Sequence, residues 1–483
     1  MFLRQIYDES LAQFAYLIGC QRTGQALVID PERDIDRYHR LAADNDLTIT
    51  AVAETHIHAD FVSGAAEFAT DPDIHLYLSA EGGDDWSYQW TGDRPHVHLL
   101  RHGDEFKVGN IRIQAIHSPG HTPEHLAYLI TDLGGGADQP VALASGDFLF
   151  VGDVGRPDLL ETAAGVTDTM EPAARRLQAS LVERLGDLPE FLQVLPGHGA
   201  GSACGKALGA VPTSVLGYEQ RFNQALRLAN HDPEDFVRDI LTGQPEPPLY
   251  FGRMKQVNRD GIRVTGGVSL PPRLATRQLK PWTDDPDTVV IDTRAERAEF
   301  AAGHLPGALH CPYPGPFFLA GAGSYVAPEQ RILLLTEDPA EVEAMTRQLY
   351  RIGLDHVVGY ATVADLKAAG LLAQPTRRID FEQWQADGGG TAAAADGDLI
   401  LDVRNATEFD AGHLEGAVNI AYTRLKARLD EVPRDRRLLV HCGTGRRASL
   451  ATAFLLREGF DAVHIDGVCS ECDRIAEGKG LTH

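Results

Sequence analysis

The chain has 483 residues, 43% hydrophobic and 23% charged, with 69 acidic against 44 basic side chains and a formal net charge of −25. That length exceeds what one core organises and implies about three domains; the acidic balance argues against nucleic acid, whose phosphates need a basic face; and no apolar run reaches the ~18 residues of a membrane span. Six cysteines (20, 204, 311, 442, 469, 472) make no disulfide framework, and residues 1–20, interrupted by Arg4, Asp8 and Glu9, do not read as a secretory signal, so a cytoplasmic protein with free thiols is expected.

From the N-terminus, Phe14–Ile18 and Ala26–Asp30 read as strands flanking a Thr23-Gly24 turn, and Ile35–Asn45 carries a helical pattern. Leu47–Glu54 (LTITAVAE) is a strand rich in β-branched and small residues. It runs into Thr55-His56-Ile57-His58-Ala59-Asp60-Phe61, where two histidines and an aspartate alternate and can all leave one strand end. Val97–Leu100, Phe106–Val108 and Ile111–Ile116 continue the β pattern, with Gly109-Asn110 as a hairpin turn. Three glycine-containing turns then follow apolar strands: Ser118-Pro-Gly-His121-Thr, Ser145-Gly-Asp147 and Pro196-Gly-His198-Gly. Their side chains fall at one sheet edge, where ligands from separate strands converge. Helical patterns at Pro172–Gly186 and Ser214–Asn230 cover the strands and give an α/β sandwich over residues 1–250.

The proline-rich Thr242–Pro248 and Pro271-Pro272 bracket a connector, 251–273. Beyond it an internal repeat appears. Val290-Ile-Asp292-Thr-Arg294 with Phe300-Ala-Ala-Gly303-His304-Leu recurs as Leu401-Asp402-Val-Arg404 with Phe409-Asp-Ala-Gly412-His413-Leu. Each copy, 274–373 and 376–483, alternates short apolar strands with helices, as a parallel-sheet α/β unit does. The low-complexity run 388–396 reads as a surface loop inside the last domain.

In the second copy the strand Leu438–Val440 ends in His441-Cys442-Gly443-Thr444-Gly445-Arg446-Arg447, followed by a helix. A glycine-containing loop from Cys442 to Arg447 can turn its N–H groups inward as an anion nest at a helix N-terminus, where thiolate is favoured. Sulfur transfer and phosphate-ester chemistry both use such a nest; four residues between Cys442 and Arg447 favour the former. The first copy has Thr336-Glu-Asp338 where the cysteine should be and is expected to be catalytically silent. Cys311 lies outside that loop. Cys469-Ser-Glu-Cys472 is half of a zinc site at most, leaving a redox pair or two incidental cysteines.

These motifs carry two resemblances. The His56 motif resembles His-x-His-x-Asp-His of the metallo-β-lactamase superfamily, with Phe61 at the last position; a phenyl ring donates no lone pair, which favours one metal ion over two. With the three later turns, the chain is similar to the persulfide dioxygenase branch of that fold. The resemblance implies an αββα sandwich with one Fe(II) held by His56, His121 and Asp147, the two-histidine, one-carboxylate set of non-haem iron enzymes. It makes His58, Asp60 and His198 supports for those ligands. Arg156 then holds a carboxylate of a thiol carrier, or pairs internally with Asp158. Cys204 has its pKa lowered or accepts sulfane sulfur, or is buried and inert.

The Cys442 loop, with the Asp-x-Arg and Gly-His-Leu signature, resembles a rhodanese sulfurtransferase. This makes Cys442 the sulfur carrier and places Arg446, Arg447 and Gly443–Gly445 around its substrate. The whole order resembles bacterial persulfide dioxygenase–sulfurtransferase fusions, which implies a homo-oligomeric enzyme. Its substrate is a persulfide of glutathione or coenzyme A type, oxidised with O2 to sulfite, with thiosulfate formed or used at Cys442. Rival readings are a glyoxalase II-type thioester hydrolase with a fused rhodanese, and a sulfane-sulfur carrier scaffold.

Overall fold

The computed structural model describes residues 1–159, 169–386 and 397–469. The chain forms two compact units, which meet at Val268 and Ser269. In the first, β1 (Phe2–Asp8), β2 (Gln13–Cys20), β3 (Gln25–Ile29), β4 (Thr48–Ala53), β5 (His75–Ser79) and β6 (Val97–Leu100) form one sheet in sequence order. A second sheet takes β7 (Glu105–Val108), β8 (Ile111–His117), β9 (Leu126–Asp132), β10 (Ala142–Gly146), β11 (Gln193–Pro196) and β12 (Ser214–Val215), in the order β12-β11-β10-β9-β8-β7.

Strand periodicity explains the layering. Along β2, Phe14, Tyr16 and Ile18 face a core shared with Ile111, Ile113 and Tyr128 of the other sheet. The alternate residues Ala15 and Leu17 pack with Tyr38 and Phe68, from the helices Asp36–Ala43 and Ala65–Phe68. On the far side, Ala127, Leu129 and Leu143 bury the helices Met170–Leu185, Gln224–His231 and Pro233–Leu241. The result is the αββα sandwich expected from the sequence.

Two sequence expectations are revised. Ser214–Asn230 is not one helix but the edge strand β12 followed by helices Leu216–Phe222 and Gln224–His231. Asn223 breaks it: its backbone is extended, its Oδ1 accepts from Leu226 N to cap the second helix, and its Nδ2 donates to Asp153 O. The stretch read as a connector opens with a helix, Tyr250–Asp260, whose Phe251, Met254 and Asn258 are buried.

The second unit holds two parallel sheets. The first copy orders β13 (Thr288–Asp292), β14 (Leu309–His310), β15 (Arg331–Thr336) and β16 (Val357–Thr362) as β14-β13-β15-β16. The second orders β17 (Arg378–Asp380), β18 (Leu399–Asp402), β19 (Val418–Asn419), β20 (Leu438–His441) and β21 (Ala462–Asp466) as β17-β21-β20-β18-β19. Without β17 the two orders are the same. The repeated motifs are structural. Arg294 forks onto Asp292 (3.0 and 2.7 Å) and donates to Gly303 O; Arg404 forks onto Asp402 (3.0 and 2.6 Å) and donates to Gly412 O. His304 and His413 each bond a carbonyl one helical turn back and stack on Phe300 and Phe409. Residues 387–396, the low-complexity run, lie outside the described residues. No helix among those described is long and apolar enough to cross a membrane.

Removing one member of a buried ion pair strands the other. Arg294→Met is therefore expected to destabilise the second unit by about 3–5 kcal/mol, measured by denaturant unfolding, while the metal content of the first unit stays unchanged.

Candidate functional site

Each sheet delivers one edge of the site. His56 follows β4, His121 lies in the turn after β8, and Asp147 directly follows β10. All three are buried, and their donor atoms lie within 4.8 Å of one another. The orientation of each is set from behind. His56 Nδ1 meets Thr55 Oγ1 at 2.9 Å, and that hydroxyl donates to Asp30 Oδ2, so Nδ1 is the protonated nitrogen and Nε2 keeps its lone pair. His121 Nδ1 donates to Arg156 O at 2.9 Å, which frees its Nε2 in the same way. Asp147 Oδ1 accepts from His198 Nδ1 at 2.8 Å, whereas its Oδ2, 3.5 Å from His121 Nε2, has no hydrogen-bond partner.

This pattern fits a cation. A buried carboxylate oxygen without a partner is costly, and two neutral imidazole nitrogens beside it supply lone pairs but no proton. Burial and the neighbouring histidines hold His56 well below the usual imidazole range, and burial lowers His121. Burial alone would raise the Asp147 carboxyl, but the charge and hydrogen bond of His198 hold it well below the usual carboxylate range. Two neutral imidazoles and one carboxylate form the set that binds a divalent transition metal with positions left open.

Around it, the supporting residues take distinct roles. His198 lies between two carboxylates, with Nδ1 on Asp147 and Nε2 on Asp60 Oδ2, both at 2.8 Å. Burial opposes its charge, but the carboxylates of Asp147 and Asp60 keep its pKa well above the ordinary value. His58 turns to Asp30 at 3.2 Å, its ring between His56 and Phe61. His125 Nε2 accepts the Asp147 N–H, and His117 bonds Pro123 O.

At two residues the sequence left alternatives open, and the geometry matches the plainer one at each. Arg156 turns its guanidinium inward and uses four of its five N–H groups there: Nε and Nη2 fork onto Asp158, Nη1 donates to Ala203 O and Pro245 O, and the side chain is buried. It serves the site through its carbonyl, which orients His121. Nor is Cys204 activated by Lys206, whose Nζ turns to Asp239 and Thr242 O; burial pushes the thiol up to about 11. Cys204 instead lies with Asp60 and His198 in a second cluster whose sulfur, oxygen and nitrogen atoms converge, although both ring nitrogens of His198 are already bonded to carboxylates.

Sequence reading also missed two residues. Asp30, in the left-handed region at φ 52°, uses both carboxylate oxygens on Thr55 and His58. Asn258, from the supposed connector, donates to His58 O and Phe61 O and accepts from Ser63 N, so it ties down the whole motif loop.

In the second unit, Cys442 directly follows β20 and is buried, and the helix Arg446–Arg457 begins after Gly445. Gly445 sits at φ 81° with Asp466 where a side chain would be, so only glycine fits. Thr444 and Arg446 are exposed at the loop, while Arg447 forks onto Glu408 at 2.5 and 2.7 Å, and Gly443 O accepts from Cys469 N. Cys469 is disulfide-bonded, and Cys472 lies outside the described residues. The first copy supports this loop. Its His310 bonds Ser449 at 2.7 Å, Arg297 bonds Asp466, and Tyr325 stacks on Phe454 at 4.4 Å. Burial raises the Cys311 thiol, consistent with an inert side chain.

Residues 10–198 match the metallo-beta-lactamase superfamily, and residues 390–470 match the rhodanese-like domain. A crystal structure of a metallo-beta-lactamase from Staphylococcus aureus is 39% identical, with TM-score 0.65, covering 75% of this chain and 99% of that one. The chain belongs to the metallo-β-lactamase superfamily and carries a rhodanese-like domain. A probable metallo-hydrolase of Bacillus subtilis is 30% identical over 36% of this chain and 80% of its own length. The human mitochondrial persulfide dioxygenase ETHE1 is 25% identical over 41% of this chain and 68% of its own.

Because Asn258 holds the motif loop from outside the ligand set, Asn258→Ala is expected to weaken metal binding by roughly 10–100-fold, measured by competition with a chelator.

Proposed function

We propose that the chain is a persulfide dioxygenase fused to a sulfurtransferase. Thiol persulfide, dioxygen and water give thiol and sulfite in the first unit, and Cys442 moves sulfane sulfur to or from thiosulfate in the second. The observation that carries this reading is the donor set itself: the Nε2 atoms of His56 and His121 and the bare Oδ2 of Asp147, with Phe61 closing the position that a paired-metal motif fills with histidine. The likeness to a persulfide dioxygenase supports it, as does a rhodanese-like domain on the same chain.

Iron(II), when held by these three residues, supplies open positions for a soft sulfur donor and dioxygen. The chain's own contribution is order. Thr55 and the Arg156 carbonyl fix the two imidazole tautomers, His198 keeps Asp147 ionised and turned inward, and Phe61 and Phe150 keep the surroundings dry. Cys442 reacts through its thiolate, the nucleophilic form of any cysteine. That thiolate attacks the outer sulfur of thiosulfate, forms a cysteine persulfide and releases sulfite; the reverse direction rebuilds thiosulfate from sulfite made in the first unit. The persulfide carrier is of glutathione or coenzyme A type, and the reaction belongs in the cytoplasm.

One observation favours a second reading. Asp60, His198 and Cys204 converge as a second group, which becomes a donor set once His198 gives up the proton it directs at Asp60, and the likeness to a probable metallo-hydrolase fits a two-metal thioester hydrolase. Metal content separates the two, since the dioxygenase reading expects one iron per chain after anaerobic preparation.

With glutathione persulfide, oxygen uptake is expected to fall to background in His121→Ala; unchanged uptake, or oxygen-independent thioester hydrolysis with two zinc ions bound, would sink the assignment. In Cys442→Ser, uptake should persist while the product shifts from thiosulfate to sulfite, read by chromatography of the derivatised anions.

A further inference from the structure

His441, directly before Cys442, is a buried titratable side chain that the sulfur chemistry leaves unused. It is 1% exposed, and among the described residues neither of its ring nitrogens has a hydrogen-bond partner. Buried polar atoms in proteins are nearly always paired, because an unpaired one costs free energy, so two on one ring call for a reason.

The repeat shows that the reason is not the fold. Asp402 of the second copy stands in register with His441, as Asp292 of the first stands with Leu335. The backbone bonds match as well: His441 O accepts from Val403 N and Leu335 O from Thr293 N, both at 3.0 Å. Leu335 is fully buried in the core beside its sheet. The Asp–Arg fork closes equally well beside either residue, at 3.0 and 2.7 Å with leucine and 3.0 and 2.6 Å with histidine. An apolar side chain therefore satisfies both the packing and the fork. The imidazole goes with the cysteine: Cys442 follows His441, whereas Thr336 follows Leu335.

Two polar groups lie beside the ring. Nε2 is 3.6 Å from Asp402 Oδ2, beyond bonding distance, and Arg404 already gives that oxygen two N–H groups at 2.9 and 2.6 Å. The other is the backbone carbonyl of Cys442. Burial pushes the imidazole down to about 4 against the opposing charges that face it, Asp402 and Arg404, so near neutral pH it keeps one N–H and one lone pair. Two later carbonyls of the loop already have donors: Gly443 O takes Cys469 N, and Gly445 O takes Ser449 N and His464 Nε2.

We propose that His441 is a positioning residue for sulfur transfer, whose ring N–H closes onto the Cys442 carbonyl as the loop takes up its anionic sulfur donor. This role rests on the sulfur-transfer reading of the loop. The bond steadies the peptide that carries Sγ while the thiolate forms an S–S bond to the outer sulfur of thiosulfate. The bond from that sulfur to the sulfonate breaks, and its electron pair leaves on sulfite. A hydrogen bond absent at rest and made during reaction stabilises the transition state more than the ground state, so it enters kcat and not KM.

Sulfur transfer from thiosulfate to cyanide by the full chain tests the proposal, together with the rate at which iodoacetate, itself an anion, alkylates Cys442, followed by peptide mass spectrometry. His441→Leu installs the residue that the first copy uses and is expected to fold with unchanged circular dichroism and melting. Its kcat is expected to fall roughly tenfold with KM for thiosulfate unchanged, and Cys442 alkylation to slow with it. His441→Asn and His441→Gln each keep an N–H near one of the two ring nitrogens, and one of them is expected to recover most of the rate. Wild-type kcat in a folded His441→Leu overturns the proposal, as does a change confined to KM. Equal loss in all three variants overturns it too, since the ring's shape alone would then matter. If His441→Leu misfolds, the two amide variants decide: wild-type rates in both, or full loss in both, overturn it. If the wild type transfers no sulfur, the reading of the loop falls by itself, and equal alkylation rates in wild type and variants would still count separately against His441.

Discussion

The unequal treatment of the two oxygens of Asp147 organises the first unit. Oδ1 is bound to a protonated His198, and Oδ2 faces two imidazoles that offer no proton. A fully buried acid left this way is tolerable only where a cation completes it. Everything nearby serves that arrangement. Asp60 fixes the other nitrogen of His198, His125 holds the Asp147 backbone, and Asp30 and the Arg156 carbonyl turn the lone pairs of the two ligand imidazoles towards Oδ2. The sandwich brings these groups together because the ends of β4, β8 and β10, from both sheets, open on one edge.

The second unit repeats one strand order, and only its second copy carries a cysteine directly after the central strand. Both copies retain the Asp–Arg fork and the histidine stacked on phenylalanine, because these close the turn after the first strand and have nothing to do with sulfur. After its central strand the first copy has Thr336-Glu337-Asp338 where the second has Cys442. It also props that second loop: His310 and Arg297 bond Ser449 and Asp466, on the first turn of the Cys442 helix and behind Gly445.

The strands, the sandwich and the convergence of His56, His121 and Asp147 were legible because each rests on local pattern: alternation along a strand, glycine in a turn, histidine at a strand end. The repeat was legible for the same reason. What sequence hid is long-range. Nothing near position 258 announces that its amide will bond His58 and Phe61. Arg156 read equally as a substrate clamp or an internal pair, and only the positions of Ala203 and Pro245 decided it. Lys206 adjoins Cys204 in sequence but turns away to Asp239, so adjacency along the chain misjudged the thiol. The helix read through Asn223 failed because one side chain capped a new helix there, a local signal that apolar periodicity outweighed.

Asn258 also bears on where this protein can be cut. The superfamily match ends at His198, and the proline-rich stretch after Thr242 invites truncation there. A fragment trimmed at either border would carry every proposed metal donor yet lack the amide that staples their loop, so feeble loading of such a piece would report on the scissors rather than on the enzyme.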